Sequence, residues 1–460
     1  MQDSSREAEN LFYEGAQLLT GGDLVAAEIA FRRAIEFAPA LAEAHANLGF
    51  VLEQQGRLTE AEAYYQHAIA HMPDQQRILL NFGAMLAKQK KFSAAEAVYR
   101  DALALDAQHP GAWSNLGVLL VSMKREVEAE QCYRAAIALA PEHQKAPFNL
   151  AYLLLRQGRL EEGWQCLESR DWYAPLEKYL KVPRWRGESL AGKSLLIGYE
   201  AGHGDMIQFS RYALLVRQQG ASRISMLCHP GLKTLLTTLP GVDEVIAFDE
   251  SLPQHGWDYW TPALSLPALF NTRLETIPAD LPYLSAAPEK IQHWAETMGQ
   301  SSGQHLRVGL VWKGNPKFEN DADRSLASLN DLAPLADVAG VEFFSLQKGA
   351  GEDEATSPSS RISLMDLGSR IVDFSDTAAI MMNLDLIITV DTAAAHLAGA
   401  LARPCWVLLP DYQTDWRWLE NRDDTPWYPG VTRLFRQKHM GDWAAVIAEV
   451  KSALLRLRSG

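Results

Sequence analysis

An aspartate and a threonine stand where an apolar stretch of the sequence gives way to a run of small residues. In VDTAAAHLAGALARP, which starts at Val390, the pair is Asp391 and Thr392, and His396 follows one helical turn later. The pattern predicts a buried strand that ends at the pair and a helix that begins there. The first turn of a helix has unpaired N–H groups and the positive end of the helix dipole, so it attracts anions. We therefore expect this segment to hold a diphosphate; the alternative is a helix cap at Asp391 and a core histidine.

This segment belongs to a longer alternation of strands and helices that begins at Lys193. The predicted strands of the first series are SLLIGYE, SRISMLCH and VDEVIAF, with the helices DMIQFSRYALLVRQQG and PGLKTLLTTLPG between them. After a break at AAPEKIQHWAETMGQSSGQH, the second series begins with the strands LRVGLVWKG and VEFFSLQKG and a helical segment between them. It continues with the helix DTAAIMMNLD, the strand LIITV, the helix DTAAAHLAGALA and the strand PCWVLLP, and the chain closes with TRLFRQ and the long helix DWAAVIAEVKSALLRL. The alternation predicts an α/β fold with two Rossmann-like, doubly wound halves, residues 193–300 and 301–460, facing each other across a cleft. Such sheets bind ligands at the carboxyl ends of their strands.

Residues 1–170 carry a different pattern, which repeats every 34 residues. Its columns are small (Gly15, Gly49, Gly83, Gly117, Ala151), small again (Ala27, Ala61, Ala95, Ala129, Gly163), aromatic (Phe31, Tyr65, Tyr99, Tyr133) and small once more (Ala34, Ala68, Ala102, Ala136), and Pro39, Pro73 and Pro141 close three repeats. This period and order are typical of tetratricopeptide repeats, in which paired helices cross closely at small residues. The sequence therefore predicts an α-solenoid of about five repeats, right-handed and with a concave groove. The fifth repeat is degenerate, and residues 171–192 are predicted to be a connector.

One polar column of the repeats bears on function. Asn47, Asn81, Asn115 and Asn149 precede the first small column by two residues, and Tyr13 interrupts the column in the first repeat. A row of side-chain amides along a groove can hydrogen-bond the backbone of an extended peptide without regard to its sequence. The alternative is that asparagine at this slot only supports the helix hydrogen bonding.

The composition limits the classes of function. The 460 residues carry a net charge of −14, which argues against a nucleic-acid partner but is compatible with a small anionic ligand at a local positive site. The four cysteines lie far apart without a CxxC pair, which predicts buried thiols in a reducing compartment. Because the sequence has no signal-peptide pattern and no apolar run of about 18 residues, we expect a cytoplasmic protein without a membrane span.

Two stretches resemble one known family. ITVDTAAAHLAGALARPCWVLLP resembles the nucleotide-sugar motif of the heptosyltransferase-like glycosyltransferases, glycosyltransferase family 9, and EAGHGDMIQFSRYALLV resembles their first loop and helix. With WKGNP, SLQKG, DFSDTAAI and DWRWL…PWYPG…RLFRQ in order behind the repeats, nearly the whole chain resembles bacterial tetratricopeptide proteins with a glycosyltransferase domain. Those proteins are often likened to the O-linked N-acetylglucosamine transferases.

The resemblance implies a GT-B fold and a metal-independent, inverting transfer of a hexosyl or heptosyl group. The donor would be a nucleotide-diphosphate sugar, a co-substrate rather than a bound cofactor, and the acceptor a protein or peptide held by the repeats. By the same resemblance, Asp205 in GHGD is the general base that takes the acceptor proton. Gly202 and Gly204 would let the loop approach closely. The alternative for Asp205 is a plain cap of its helix.

The leaving diphosphate gathers negative charge and needs fixed positive groups. Lys313 in VWKGNP and Arg324 in NDADRSL are the candidates; each alone is an ordinary surface charge. Further candidates to line the nucleotide are Gln347 and Lys348 in SLQKG, together with Asp376 and Thr377 at another predicted helix start.

Other patterns are weaker. The DAD at residues 321–323 imitates the metal-binding DxD of other glycosyltransferases, but it lies on a polar loop. GYEAGHGD lacks the GxGxxG spacing of a dinucleotide site. The side chains of DWRWLENRDDTPWYPG either line the sugar or acceptor site or only pack the C-terminal half.

Three functions stay open: a glycosyltransferase, an inactive scaffold for protein–protein interaction, and an enzyme such as an epimerase that acts on a nucleotide sugar alone.

Overall fold

The computed structural model describes residues 2–142, 144–299, 305–318 and 320–459. The chain divides into two compact units, residues 1–153 and 154–460. The predicted boundary between residues 300 and 301 lies outside the described residues.

The first unit consists of helices that pack in sequence order. Their bounds are α1 Gln2–Thr20, α2 Leu24–Phe37, α3 Ala42–Gln54, α4 Leu58–His71, α5 Gln76–Lys88, α6 Phe92–Leu105, α7 Pro110–Ser122, α8 Glu126–Leu139 and α9 Lys145–Arg156, the last of which continues into the second unit. Each helix of 13 or 14 residues from α2 to α7 contacts the helix before and after it, as a stack of helical hairpins requires.

Glycine and aromatic columns meet inside each hairpin. A Cβ atom added to Gly83 would lie 2.5 Å from the Tyr99 ring, and one added to Gly117 would lie 2.6 Å from the Tyr133 ring. Both distances are too short for any side chain, so the rings occupy the space that the missing Cβ atoms leave. Tyr99 and Tyr133 are buried as a result. The 34-residue spacing of small and aromatic residues is therefore a packing requirement of the hairpin.

The second unit combines helices with two parallel sheets. Its helices are α10 Leu160–Leu167, α11 Ala174–Tyr179, α12 His203–Phe209, α13 Tyr212–Gln218, α14 Lys233–Leu236, α15 Leu266–Leu269, α16 Pro288–Met298, α17 Asp321–Arg324, α18 Phe374–Met382, α19 Ala393–Ala400 and α20 Trp443–Ser459. Its strands are β1 Ser194–Gly198, β2 Arg223–Cys228, β3 Glu244–Ala247, β4 Tyr259–Pro262, β5 Leu306–Val311, β6 Val341–Ser345, β7 Leu364–Asp366, β8 Leu386–Val390, β9 Cys405–Leu409 and β10 Thr432–Arg436. Short 3₁₀ turns lie at 230–232, 263–265, 274–276, 329–337, 352–356, 368–370 and 416–418.

Both sheets reverse their strand order at one point. The first has the order β3-β2-β1-β4, and the second β7-β6-β5-β8-β9-β10. All strand pairs are parallel. The chain thus moves outward from β1 or β5 and then returns to pair its next strand on the other side. In doubly wound sheets this reversal opens a crevice at the carboxyl ends of the two central strands.

Several elements differ from the sequence prediction. β4 and β7 were not predicted, because they have only four and three residues and lack a sustained apolar run. The predicted break at AAPEKIQHWAETMGQSSGQH contains α16, which starts at Pro288 and buries Trp294 and Met298. The predicted connector contains α11, and the predicted helix that starts at Asp205 is divided into α12 and α13. Within the described residues, no helix is both long and apolar enough to cross a membrane.

Candidate functional site

The segment from Asp391 lies at the reversal point of the second sheet. β8 ends at Val390 and pairs with β5, and α19 begins at Ala393. Thr392 is the residue that caps α19: its side chain accepts a hydrogen bond from the Ala394 N–H at 3.3 Å. The capping role considered for Asp391 is thus filled by its neighbour. A strand end, a helix start and the reversal of strand order therefore coincide here, which are the features of an anion site in this class of sheet.

The Asp391 carboxyl lies in an unfavourable environment for a charge. Burial and the nearby Asp415 carboxylate raise its pKa to about 6, although Arg324, the Trp418 indole and Arg417 act in the opposite direction. Only 7% of the residue is exposed. We call Asp205, Asp391, Asp415, Arg324 and Arg417 the Asp391 cluster.

The raised pKa predicts a dependence of stability on pH. In the pH range from about 4, where an unfolded aspartate titrates, to about 6, the folded chain holds a proton that the unfolded chain releases. The contribution of Asp391 to stability is therefore highest below this range and falls as the pH rises through it. We expect Asp391→Asn to remove this loss and to raise the free energy of unfolding at pH 7.5 by about 1 to 3 kcal/mol.

Urea denaturation of the wild-type and Asn chains between pH 4 and 8 measures the effect. The two chains should be similarly stable at pH 4 and diverge above pH 5. The exposed Asp353→Asn is the matched control, since it removes the same charge from the surface. A parallel decline of all three chains with pH would contradict a buried, protonated Asp391.

Asp205 lies in the first turn of α12, the helix that follows β1. One carboxylate oxygen accepts the Gly202 N–H at 2.8 Å, which closes the loop onto the helix start. The other oxygen forms an ion pair with the guanidinium of Arg417. Asp205 therefore caps its helix and also joins the Asp391 cluster.

The helices that start after the two sheets' central strands pack on each other. A Cβ atom on Gly204 of α12 would lie 2.8 Å from His396 of α19, so the close approach depends on the glycine. His396 is buried, its ring stacks on Trp418 with centroids 5.3 Å apart, and its Nδ1 lies 2.9 Å from the Tyr428 hydroxyl. Burial, with the nearby Arg417 and Arg211, holds the pKa of His396 well below its usual value, so the ring is neutral. This is the packing that the core-histidine alternative predicted.

Arg417 is the central cation of the cluster, and sequence reasoning did not find it. Its guanidinium donates to Asp415 at 2.9 and 3.0 Å and to the buried Gln208 amide oxygen at 2.5 Å, in addition to pairing with Asp205. The 3₁₀ turn of residues 416–418 carries it between two buried tryptophans. The stretch DWRWL was considered as either a site wall or core packing. Its tryptophans pack and its arginine reaches the cluster.

The two cations predicted for the diphosphate have protein partners. Lys313, just after β5, forms an ion pair with Glu354. Arg324 pairs with Asp321 at 3.2 Å and lies close enough to Asp391 to lower its pKa. An open cavity of about 470 Å³ lies beside them and is lined in part by Lys313, Asp321 and Trp443. Arg324 thus belongs to the Asp391 cluster, whereas Lys313 faces the neighbouring cavity.

The predicted nucleotide-lining residues serve local structure. The Gln347 amide accepts the N–H groups of Trp312 and Lys313 at 2.9 and 3.0 Å and donates to the carbonyls of Lys313 and Ala350, which ties the end of β5 to the loop after β6. Lys348 is exposed and lies 3.5 Å from Glu352.

The start of α18 is likewise occupied. Asp373 accepts the N–H groups of Ser375 and Asp376, and Lys290 donates to the Asp376 carboxylate at 2.8 Å. Thr377 is buried in the same turn, with its hydroxyl 3.5 Å from the Asp373 carbonyl. The nucleotide roles of these residues stay predictions.

In the first unit, the asparagine column lies along the first helices of successive hairpins. Asn47, Asn81, Asn115 and Asn149 are on α3, α5, α7 and α9, and all four are half-buried. Asn149 donates to the Ser114 hydroxyl at 3.4 Å. Among the described residues, no group hydrogen-bonds the side chains of the other three. Their amides are therefore available to a ligand.

Comparison with known families identifies the repeats. Residues 40–108, 110–143 and 128–163 match the tetratricopeptide repeat family. The prediction of tetratricopeptide repeats is thus confirmed. In the chain, these repeats are followed by a region with parallel sheets. Repeats of this kind indicate protein partners.

Among known proteins, the chain is similar to Protein FlbA of Caulobacter vibrioides, with 29% identity over 294 residues. The match covers 59% of this chain and 48% of FlbA, so it spans about half the length of that relative.

Three solved structures illustrate the similarity. PilF of Pseudomonas aeruginosa has 23% identity and a TM-score of 0.34, and the match covers 36% of this chain and 77% of the PilF chain. A thermophilic tetratricopeptide protein of Thermus thermophilus has 22% identity and a TM-score of 0.33, with coverage of 37% and 95%. YrrB, described as having an unusual peptide-binding site, has 19% identity and a TM-score of 0.30, with coverage of 35% and 82%.

Proposed function

We propose that the protein is a metal-independent, inverting glycosyltransferase with a GT-B arrangement of its two sheets. It would transfer a hexosyl or heptosyl group from a nucleotide-diphosphate sugar to a protein or peptide acceptor. One observation carries the proposal: the helices that follow the central strands β1 and β8 begin side by side, and a charged cluster lies between them. Two crevices of the kind that bind ligands in doubly wound sheets therefore meet at one place.

The residues of this place suit the reaction. The start of α19 carries the positive end of the helix dipole, which suits a diphosphate, and Arg417 and Arg324 supply positive charge. Asp205 would take the proton of the acceptor hydroxyl as the sugar carbon is attacked from the side opposite the leaving diphosphate. Because Asp205 now pairs with Arg417, the diphosphate would have to replace it on the guanidinium. That exchange would leave the Asp205 carboxylate free to act as a base.

The repeats would supply the acceptor. Tetratricopeptide repeats indicate a protein partner, and the open amides of Asn47, Asn81 and Asn115 can hold a peptide backbone without reading its sequence. An acceptor bound in this way would be recognised by its extended conformation.

A scaffold without turnover is the second candidate, and a specific contact favours it. The ion pair of Asp205 with Arg417 neutralises the proposed base, and the stacked rings of His396 and Trp418 fill space beside the start of α19. A chain that never binds a donor would keep such a closed cluster. Donor binding therefore separates the two candidates.

A thermal-shift screen of the full chain against nucleoside diphosphates and their hexose and heptose conjugates makes this test. We expect one nucleotide class to raise the melting temperature, since a ligand at 100 times its Kd stabilises the folded state by about 2.7 kcal/mol. Arg417→Gln should abolish the shift, whereas Lys178→Ala, at an exposed lysine outside the proposed site, should retain it. If none of these compounds stabilises the wild-type chain, the enzyme proposal fails and the scaffold remains.

A further inference from the structure

A row of aromatic rings follows the carboxyl ends of three neighbouring strands. Tyr199, His229 and Phe248 each come one residue after β1, β2 and β3. Since these strands are adjacent and parallel, the three side chains meet, with ring centroids 4.8 to 5.3 Å apart. The Tyr199 hydroxyl lies 2.9 Å from Nε2 of His229.

Two further rings extend the row toward the second sheet. His203, at the start of α12, stacks on His229 with centroids 4.0 Å apart and planes inclined by 13°. Its other side meets Phe374 at the start of α18, at 5.1 Å. We call Tyr199, His203, His229, Phe248 and Phe374 the aromatic edge. Because His203 belongs to the aromatic edge, the edge includes a residue only two positions before Asp205 in the chain.

The aromatic edge is uncharged. Burial, together with the neighbouring His229, lowers the pKa of His203 to about 4, and burial also lowers the pKa of His229. Both imidazoles are therefore neutral at pH 7. Lys233 and Glu250 on this side form an ion pair with each other, and the acidic residues Asp249 and Asp373 stand next to Phe248 and Phe374 in the chain.

Part of the aromatic edge remains open. Phe248 is 46% exposed, so its ring is open to solvent at the end of the row. His203 makes no hydrogen bond with any of the described residues, so its ring nitrogens are available. Ligand sites are lined mainly by apolar and aromatic side chains with a few polar groups, and the aromatic edge shares this composition.

We propose that the aromatic edge holds an uncharged, apolar side chain of the acceptor polypeptide, next to the residue whose hydroxyl receives the sugar. The inference rests on the proposed function, since it takes Asp205 as the base and the repeats as the acceptor-binding region. A polypeptide is favoured as the occupant because the repeats indicate protein partners. An acidic flanking side chain would approach the carboxylates of Asp205 and Asp249, and a charged side chain of either sign would lose solvation against the uncharged rings.

Fluorescence anisotropy with the full chain tests the proposal. The probes are labelled peptides of 13 residues with a central serine in an alanine–glycine background, in which both flanking positions are Phe, Asp or Lys. We expect the Phe peptide to bind at least fivefold more tightly than the other two. Phe248→Ala should reduce that preference to less than twofold. Val372→Ala, which removes a highly exposed apolar side chain outside the aromatic edge, should leave it unchanged.

The outcomes distinguish this site from the enzyme proposal. Phe248 is exposed, so its alanine variant is expected to fold, and an unaltered donor thermal shift in that variant would show that it has. A Phe preference that persists in Phe248→Ala, or equal binding of all three peptides, overturns the inference even where the donor binds. Competition by a neutral oligosaccharide for the Phe peptide also overturns it, in favour of a glycan acceptor. If the Phe preference depends on Phe248 but the chain binds no donor, the result supports the site and refutes the glycosyltransferase proposal.

Discussion

Asp205→Asn is expected to lower the rate of sugar transfer at saturating substrates at least 100-fold and to change the donor Kd by less than about threefold. The asparagine oxygen can still accept the Gly202 N–H, so the cap of α12 is kept. What the variant loses is the negative charge that takes the acceptor proton, and general-base catalysis contributes about 10² to 10⁴ in rate. Steady-state kinetics with the donor found in the thermal-shift screen, read as kcat and KM separately, measures this expectation.

Asp415→Asn is the matched control for that variant. Asp415 is the other carboxylate on Arg417, so both substitutions remove one ion-pair partner of the same guanidinium. If Asp205 only positions Arg417, the two variants should behave alike and should chiefly weaken donor binding. If Asp205 is the base, only its variant should lose kcat. Full kcat in Asp205→Asn would exclude it as the base.

The repeats and the central strands could be predicted because their signals are local and periodic. The glycine and aromatic columns recur since each hairpin needs a glycine opposite a ring, as at Gly83 and Tyr99. β8 was predicted with its observed bounds because all five of its residues are buried, which gives an apolar run that only Thr389 interrupts. Strands as short as β4 and β7 have no such run, and only their pairing in the sheet defines them.

The site could be predicted only in part, for a physical reason. The helix starts at residues 203 and 393 have local signals, namely glycines and a polar pair after a strand. Which cation meets Asp205 depends on how the two sheets approach each other, and no local signal reports that. Arg417 is 212 residues away from Asp205 in the chain. Its one sequence signal was an arginine between two tryptophans in a segment without helical or strand period, which suggests a charge held inside an aromatic core.

That aromatic core includes a side chain from the helix that closes the repeat region. Trp164 of α10 is 1% exposed and donates its indole N–H to the Thr272 carbonyl at 2.9 Å. Its ring meets Trp416 and Trp427 edge to face, with centroids 5.3 and 6.3 Å apart. Trp416 immediately precedes Arg417, and the Arg417 guanidinium lies 4.4 Å from the centroid of its ring. The Trp164 ring therefore packs against the turn of residues 416–418, which carries Arg417.

We expect Trp164→Ala to destabilise the second unit by about 3 to 5 kcal/mol, the usual cost of removing a fully buried tryptophan. The measurement is the free energy of unfolding from urea titration, followed through hydrogen exchange of residues 154–460. Val372→Ala, at a highly exposed position, should cost less than about 0.5 kcal/mol. A loss below about 1 kcal/mol in Trp164→Ala would contradict a central packing role.

Trp164→Phe separates packing from the hydrogen bond. It keeps an aromatic ring against Trp416 but gives up the N–H that the Thr272 carbonyl accepts, so it should cost about 1 to 3 kcal/mol, because the buried carbonyl is left unpaired. If Trp164 also positions Arg417, the alanine variant should lose donor binding under conditions where it is still folded, and the phenylalanine variant should retain it. Donor binding that survives in folded Trp164→Ala would restrict the role of this residue to stability, because the turn of residues 416–418 would then hold Arg417 without its support.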